Sequence, residues 1–283
     1  MASSAGKEIK ERMNSIESTH KITKAMGLVA SSKMAKVRSR VERSRPYFQI
    51  MYETLNEIAS SDTEFQSPYL AVRDVNSTCV VVIGADRGLA GGYNSALLKK
   101  THDSSNGKNA KIFPIGKKCV EYYERINADV LSTEYNIAAD LTVGNCFEIS
   151  KSLCDAFLEG EFDEIILVYT NFVSMLEQTA SEIKVLPFMR EHQNQNGNPK
   201  QVVVYEPSSE EVYNAIVPEY VAGLLYGALC ESLASEQAAR RTAMDSASKN
   251  AEDMLETLTL QYNRARQGAI TQEITEIVAG SEE

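Results

Sequence analysis

The sequence predicts an α/β protein with a long α-helical coiled coil. Two features indicate the coil: both ends of the chain are rich in helix-forming residues, and their apolar residues recur at alternating steps of three and four. A third feature indicates the α/β part, because the middle of the chain alternates short apolar runs with helix-like segments. We therefore expect an antiparallel two-helix coiled coil, built from the N- and C-terminal segments, and a central α/β domain.

The N-terminal coiled-coil helix is assigned to residues 1–58. From Ile9, positions that step by four and three continue to Val41, and this 3.5-residue repeat predicts a left-handed coiled-coil seam. The middle of the seam is small, and Gly27 would let a partner helix approach closely. Pro46 falls inside the helical pattern, so we expect a kink or break there.

A second apolar row on the same helix, made of Ile22, Met26 and Val29, lies outside that seam. Apolar residues on the outer face of a two-helix coil are unfavourable in water. Two interpretations stay open. Either another protein surrounds this segment, or the row packs on the α/β domain of the same chain.

The central domain is assigned to residues 70–207 and is expected to be Rossmann-like, because strands that alternate with helices form a parallel sheet. Helices are predicted up to about His102, over 117–125 and over about 141–158. Apolar, β-branched runs predict the strands, which are expected at 78–84, 110–116, 128–133, 163–170, 174–188 and 201–207.

The C-terminal coiled-coil helix is assigned to residues 208–283. Ser208 and Glu211 form a capping box that starts it, and Pro218 predicts a kink. Beyond Pro218 there is no proline and little glycine, so the run would be roughly 90 Å long at 1.5 Å per residue. The seam predicted for it consists of Met244, Ala247, Ala251, Met254, Leu258, Gln261, Ala265 and Gly268.

The two ends of the chain carry opposite charge. Residues 1–45 hold eleven basic and four acidic residues, whereas residues 210–283 hold five basic and thirteen acidic residues. This complementarity favours pairing of the two helices. The alternative is two solvated helix faces with incidental charge.

Composition excludes several classes of protein. The net charge of −10 argues against a general nucleic-acid binder, which needs a basic surface. Five cysteines without a CxxC pair indicate reduced thiols in an intracellular compartment. No apolar run reaches the length of a membrane span, and no secretory signal is recognisable at the N-terminus.

The glycine-rich stretch from Gly84 to Gly92 follows a predicted strand and opens a helix, where a phosphate cradle would lie. Its spacing matches neither a dinucleotide-binding nor a P-loop motif. We interpret it as a tight turn whose Asp86 and Arg87 contact another protein, with nucleotide binding as the alternative.

No constellation in the sequence predicts an active site. His20, His102 and His192 are far apart and lack metal-ligand spacing, and there is no GxSxG motif. We therefore expect no catalytic residue, no metal and no cofactor.

A family resemblance is carried by the stretches 22–26 with 29–34, 86–94, 234–240 and 265–278, of which the last is the most specific. These stretches resemble the γ subunit of F-type ATP synthase. The redox insertion of chloroplast relatives is absent, which points to the bacterial form. The resemblance implies a central rotor shaft inside an α3β3 ring. It also implies contacts of the α/β domain with the ε subunit and the membrane c ring.

The resemblance also implies subunit contacts at single residues. Met26 is similar to a rotor residue near the acidic lever loop of a β subunit. Arg87 and Ala90 are similar to the turn that approaches that loop, although many relatives have cysteine at the position of Ala90. Gly27 replaces the larger residue common in the family.

Towards the C-terminus, Tyr205 and Glu206 resemble residues that face the c ring. A further set resembles residues that contact β-subunit loops and the upper bearing of the ring, namely Arg240, Arg266, Gln267, Thr271 and Glu273.

The function that the resemblance implies is mechanical: rotation of the c ring, driven by ions, changes the conformation of β-subunit catalytic sites for ATP synthesis or hydrolysis. The chain would have no catalytic site of its own and would reach the cytoplasmic face of the plasma membrane only through the c ring. Two alternatives stay open. One is a nucleotide-dependent α/β enzyme with helical dimerisation arms, and the other is a coiled-coil scaffold that does not rotate.

Overall fold

The computed structural model describes residues 4–61, 65–189 and 205–280. Two very long helices lie at the ends of the chain, α1 (Ser4–Ser61) and α5 (Ser209–Gly280). The chain divides into two compact units. We call residues 1–32 with 240–283 the coil unit, and residues 33–239 the α/β unit.

The coil unit is an antiparallel pair of helices. The hydroxyl oxygens of Thr23 and Ser248 lie 2.7 Å apart, and His20 Nε2 lies 3.1 Å from Glu252 Oε1. In these two contacts the residue number rises along α1 while that of its partner falls along α5, which confirms the antiparallel pairing. Extending it one for one places the start of α1, Ser4, opposite the stretch near Gln267.

The seam predicted on α1 is confirmed. Every predicted position from Ile9 to Val37 is buried or half-buried, and Thr23, Gly27 and Ala30 are buried at its centre. The side chain of Val41 lies outside the described part of the structure. Small residues at the centre let the two backbones approach closely.

The seam predicted on α5 has the right period, and five of its eight predicted residues are right. Met244, Ala251, Leu258 and Ala265 are buried or half-buried as predicted, and so is Ala247. The intervening positions Met254, Gln261 and Gly268 are exposed. Their C-terminal neighbours turn inward instead, and these half-buried residues are Leu255, Tyr262 and Ala269. From Met244, the observed seam therefore steps by four and then three residues, whereas the predicted seam steps by three and then four.

The α/β unit holds four strands and three shorter helices among its described residues. Two single-turn 3₁₀ segments, Pro68–Leu70 and Ala138–Asp140, lie in its loops. The elements are, in chain order, β1 (Thr78–Ile83), α2 (Tyr93–Ser105), β2 (Ala110–Ile115), α3 (Lys117–Arg125), α4 (Val143–Leu158), β3 (Glu164–Phe172) and β4 (Gln178–Leu186).

The strand order in the sheet is β2-β1-β3-β4. Strand β1 pairs in parallel with β2 and β3, whereas β4 returns antiparallel to β3. The parallel strands are joined by helices, as the alternating pattern predicts, and the short β3–β4 connection gives a hairpin.

Both faces of the sheet are covered, which explains why β1 is apolar throughout. Cys79, Val81 and Ile83 face a core that includes α4 and parts of both long helices. Val80 and Val82 face a second core with α2 and α3. A strand buried on both faces reads as a continuous apolar run.

Two predicted strands differ from the structure. Residues 128–133 do not form a strand, since Val130 makes only an isolated bridge to Ile112 before the chain leaves the sheet. Of 201–207, residues 201–204 lie outside the described part, and 205–207 are not extended into a strand.

Neither long helix is interrupted at its proline. Pro46 lies within α1 and Pro218 within α5. Proline removes one backbone hydrogen bond, but Val217 and Tyr220 on either side of Pro218 are buried in the main core. Burial of these side chains outweighs the lost bond. Ser208 caps α5 as predicted, because its hydroxyl accepts the N–H of Glu211 at 3.1 Å.

Candidate functional site

The outer face of the coil unit carries apolar residues on both helices. On α1, Ile22, Leu28 and Val29 are exposed and Met26 is half-buried. On α5, Met254 and Leu260 are exposed. Within the coil unit, the predicted row on α1 is therefore largely exposed, and α5 adds exposed apolar residues of its own.

The C-terminal end of α5 is exposed around its circumference. Arg266, Gln267, Thr271 and Glu273 are all exposed there. The Thr271 hydroxyl donates to the carbonyl of Gln267 at 3.0 Å, within the helix. The same stretch exposes an apolar set of Ile270, Ile274, Ile277 and Val278.

Arg240 differs from the other predicted contact residues because it is buried, at 6% exposed. Its guanidinium is therefore largely shielded before any other subunit is added. Nothing in the sequence distinguishes Arg240 from the neighbouring Arg241, which is partly exposed and pairs with Asp245 at 3.6 Å.

The glycine-rich turn between β1 and α2 is held firmly from within the α/β unit. The Asp86 carboxylate accepts the backbone N–H groups of Ala138 and Ala139 at 2.7 and 3.0 Å. The Asn94 side chain accepts the N–H of Ala85 at 3.3 Å, and the N–H of Lys118 donates to the carbonyl of Ala85 at 2.9 Å. These bonds fix the base of the turn.

The first glycine of the turn serves close packing. A Cβ added at Gly84 would lie 2.2 Å from the Cys119 sulfur, and one added at Gly116 would lie 2.4 Å from the carbonyl oxygen of Gly84. The Asp86 carboxylate would also repel a phosphate at this place. The nucleotide-binding alternative gains no support from this geometry.

The two residues predicted as contacts on the turn have opposite environments. Arg87 is exposed, whereas Ala90 is buried at 3% exposed and packs with Ala85, Tyr93 and Ala239. Leu89, which the sequence analysis did not single out, is 65% exposed. The sequence signal that could have identified it is a bulky apolar residue inside a glycine-rich turn.

Tyr205 and Glu206 lie just before α5. Tyr205 is half-buried against the main core, and Glu206 is exposed. Burial, together with the nearby Glu57 carboxylate, raises the pKa of Tyr205. Of the two residues, only Glu206 is exposed.

The described residues include no group of three potential metal ligands. His102 lies on the surface near Asp103, and His192 lies outside the described part.

All five cysteines are buried and unpaired, and burial raises the pKa of Cys79, Cys119, Cys146 and Cys154 to about 12. A thiol with so high a pKa is a poor nucleophile. Within the described ranges, no helix has the length and hydropathy that crossing a bilayer requires.

Known proteins resemble the chain over nearly its whole length. The protein-family model described as ATP synthase matches residues 5–282. The ATP synthase gamma chain of Ruminococcus albus is 44% identical over 280 residues, which is 97% of each chain. The sodium ion specific ATP synthase gamma chain of Acetobacterium woodii is 38% identical over 293 residues, again 97% of each.

Solved structures share the fold. The rotor of the Euglena gracilis mitochondrial ATP synthase aligns with a TM-score of 0.63 at 18% identity, covering 94% of this chain and 99% of that one. A second structure of that enzyme, described as OSCP, F1 and c-ring, aligns with a TM-score of 0.67 over 98% of this chain and 94% of the other.

Proposed function

We propose that this chain, which belongs to the ATP synthase gamma chain family, is the rotor of the central stalk. Its rotation with an ion-driven c ring changes the conformation of the β-subunit catalytic sites, so that ATP is synthesised or, in reverse, hydrolysed. Gamma chains are non-catalytic subunits, and this one acts by its shape and its contacts.

The observation that carries the proposal is the apolar outer face of the coil unit. Ile22, Leu28, Val29, Met254 and Leu260 are each more than half exposed, on two helices whose shared seam has small residues at its centre. A surface of this kind on a thin coil is suited to a surrounding protein. Apolar contacts have no fixed direction, so they suit a shaft that turns within a ring.

The proposed surrounding protein is the α3β3 ring. Met26 would meet a β-subunit loop, and the exposed Arg266, Gln267, Thr271 and Glu273 would lie at the bearing end of the shaft. Exposed side chains at every one of these last four positions support this role. Arg240 would act mainly within the chain, since the chain itself buries it.

The α/β unit would make the remaining contacts. Arg87 would approach a β subunit through the turn, while the buried Ala90 supports the turn from inside. Tyr205 and Glu206 would lie near the c ring, and the ε subunit would bind the same unit. The Euglena gracilis assembly that this fold resembles includes F1 and a c-ring, which supports the arrangement.

The proposed place of the complex is the cytoplasmic face of the plasma membrane, which the chain reaches only through the c ring. We propose three working segments: residues 1–58 and 208–283 as the shaft, and residues 70–207 as the domain that contacts the c ring. Nucleic acid and cofactors have no part in the proposal.

Co-purification tests this function. The tagged chain, expressed with the α, β, ε and c subunits of the same organism, should bring all of them down as one complex that hydrolyses ATP. The purified chain alone should hydrolyse none. Recovery of the chain without α and β, or ATP turnover by the chain alone, would contradict the proposal and favour the α/β enzyme.

A further inference from the structure

Strand β3 continues past the end of its pairing with β1. Strand β1 pairs with β3 only as far as Val82 and Val168, whereas β3 runs on to Phe172 and stays paired with β4 on its other side. Backbone groups of β3 beyond Val168 that point towards β1 therefore have no strand partner. Thr170 lies in this part of β3 and is buried. Because an unpaired backbone group is costly when buried, other groups must satisfy it.

Two serines of α5 supply the missing partners. The N–H of Thr170 donates to the Ser232 hydroxyl at 3.1 Å, and the Ser235 hydroxyl donates to the carbonyl of Thr170 at 3.2 Å. The serines are three residues apart, so they lie on one face of the helix, and both are buried. The phenol of Tyr93, at the start of α2, donates to the carbonyl of Ser232 at 3.1 Å. We call Tyr93, Thr170, Ser232 and Ser235 the serine lock.

Small residues around the serines bring α5 close enough to form the lock. A serine side chain is short, so the helix must approach the strand closely. Ala234 and Ala238 are buried, and the half-buried Ala239 packs against a small cluster that includes Tyr93. These alanines belong to the stretch 234–240, which carries part of the family resemblance. They serve packing inside the α/β unit.

The lock holds α5 near the place where the helix leaves the α/β unit. That unit ends at Ala239, and α5 continues from there into the coil unit as one helix. Apolar residues of α5 such as Leu225 and Leu229 also pack in the main core, but apolar contacts have no fixed direction. Hydrogen bonds depend on angle as well as distance. The serine lock therefore resists rotation of α5 about its own axis against the sheet.

We infer that Ser232 and Ser235 are positioning residues that carry torque between the α/β unit and the shaft. The inference rests on the proposed rotor function and assigns part of its mechanics to two residues. Because the lock lies close to the exit of α5, only a short stretch of helix can twist before the shaft follows the α/β unit. Without the lock, the α/β unit would turn through a larger angle before the shaft follows.

The torsional stiffness of the rotor tests the lock. A bead is bound through Asn106→Cys, on the exposed turn after α2, in a complex with α and β fixed to a surface and without nucleotide. The ring holds the shaft, so the angular fluctuation of the bead measures the twist between the shaft and the α/β unit. The double variant Ser232→Ala/Ser235→Ala should raise the angular variance at least about twofold. An unchanged variance would overturn the inference.

Ser150→Ala is the matched control. Like Ser235, Ser150 is fully buried, and its hydroxyl donates to a backbone carbonyl, that of Pro218 in α5. This bond lies about four helical turns farther from the exit. Ser150→Ala should lower the melting temperature of the free chain about as much as Ser235→Ala, yet leave the angular variance unchanged. An equal rise in variance for both single variants would show general loosening and would contradict the lock.

Tyr93→Phe gives a second reading of the same lock. This variant removes the phenol hydroxyl and keeps the ring, so the chain should fold even if the double serine variant does not. The angular variance should rise, by a smaller factor than in the double serine variant, because one of three hydrogen bonds is lost. A variance equal to that of the wild type would overturn the lock without any need for the serine variants.

The wild-type complex, measured in parallel with ATP, keeps the two proposals apart. If its bead rotates and the lock variants are as stiff as the wild type, only the lock is wrong. If the wild-type bead does not rotate, the rotor function fails and the lock fails with it.

Discussion

The two units of the chain bury their apolar residues to different extents. In the α/β unit, Ile83, Leu97 and Leu167 are fully buried, and the sheet is covered on both faces. In the coil unit, Leu258 is buried, whereas Leu260 and Ile22 are more than half exposed. The α/β unit buries its apolar side chains within itself. The coil unit leaves much of its apolar surface exposed, as the proposed shaft inside another protein requires.

The difference also appears at one glycine in each unit. Gly223 of α5 lies against Phe48 of α1, and an added Cβ would come within 2.0 Å of the ring. Gly27 of α1 lies near Met244 and Asp245, but its added Cβ would keep ordinary distances of 3.4 Å or more. At Gly223 the two helices leave no space for a methyl group, whereas at Gly27 a methyl group would fit.

The largest expected effect is that of Gly223→Ala. Overpacking against Phe48 should lower the free energy of unfolding by about 3 kcal/mol. Gly27→Ala should instead be neutral or raise it by up to about 1 kcal/mol, because alanine favours a helix. Urea unfolding of the free chain, followed by circular dichroism at 222 nm, measures both. A loss at Gly27 as large as at Gly223 would break the comparison.

A second prediction compares two leucines of the coil. Leu258→Ala should destabilise the coil by about 2 kcal/mol, since it removes a buried seam residue, whereas Leu260→Ala should change it by less than about 0.5 kcal/mol. Of the 13 tyrosines, only Tyr262 lies in the coil unit. Near-ultraviolet circular dichroism therefore reports mainly the α/β unit, and the signal at 222 nm reports both. Equal losses for the two leucines would mean that the seam is misassigned.

A third prediction concerns acid stability. Burial by itself raises the pKa of Glu164, but the hydrogen bonds from Lys108 and Lys184, each at 2.8 Å, outweigh it and the pKa lies below its usual value. A carboxylate with a lowered pKa stabilises the fold above the pKa of the unfolded chain, and this contribution is lost as pH falls through the folded value. We expect the loss below about pH 4.5.

The matched variants are Glu164→Gln and Glu252→Gln. At pH 7, Glu164→Gln should cost about 1–2 kcal/mol and flatten the loss of stability in acid. Glu252 pairs with His20 but is mostly exposed, so Glu252→Gln should cost at most about 0.5 kcal/mol. Urea unfolding between pH 3 and pH 7 measures both, and an unchanged acid profile for Glu164→Gln would contradict the assignment.

Much of this architecture could be predicted from the sequence, because periodicity reports burial directly. The seam of α1 and the two-sided burial of β1 follow from spacing and composition. The phase of the α5 seam could not be predicted. Met254 and Leu255 are adjacent and both apolar, and only the register against α1 decides which one turns inward.

The environments of the predicted contact residues were harder to predict, because exposure depends on the fold. Ala90 and Arg240 lie in motifs that resemble contact sites, yet tertiary packing buries both. Leu89 looked like an ordinary apolar residue, and only its backbone angle and exposure set it apart. Residues 128–133 have strand-like composition, but a single bridge does not make a strand.

The central claim is that the coil turns inside a ring. The direct test attaches a bead to the exposed Asn106 of the α/β unit, through Asn106→Cys, in a complex with α and β fixed to a surface. Because the native cysteines are buried, the bead binds at one place. On addition of ATP, the bead should rotate in one direction and stop when ATP is exhausted. A complex that hydrolyses ATP while the bead only fluctuates would contradict the rotor and leave a static scaffold.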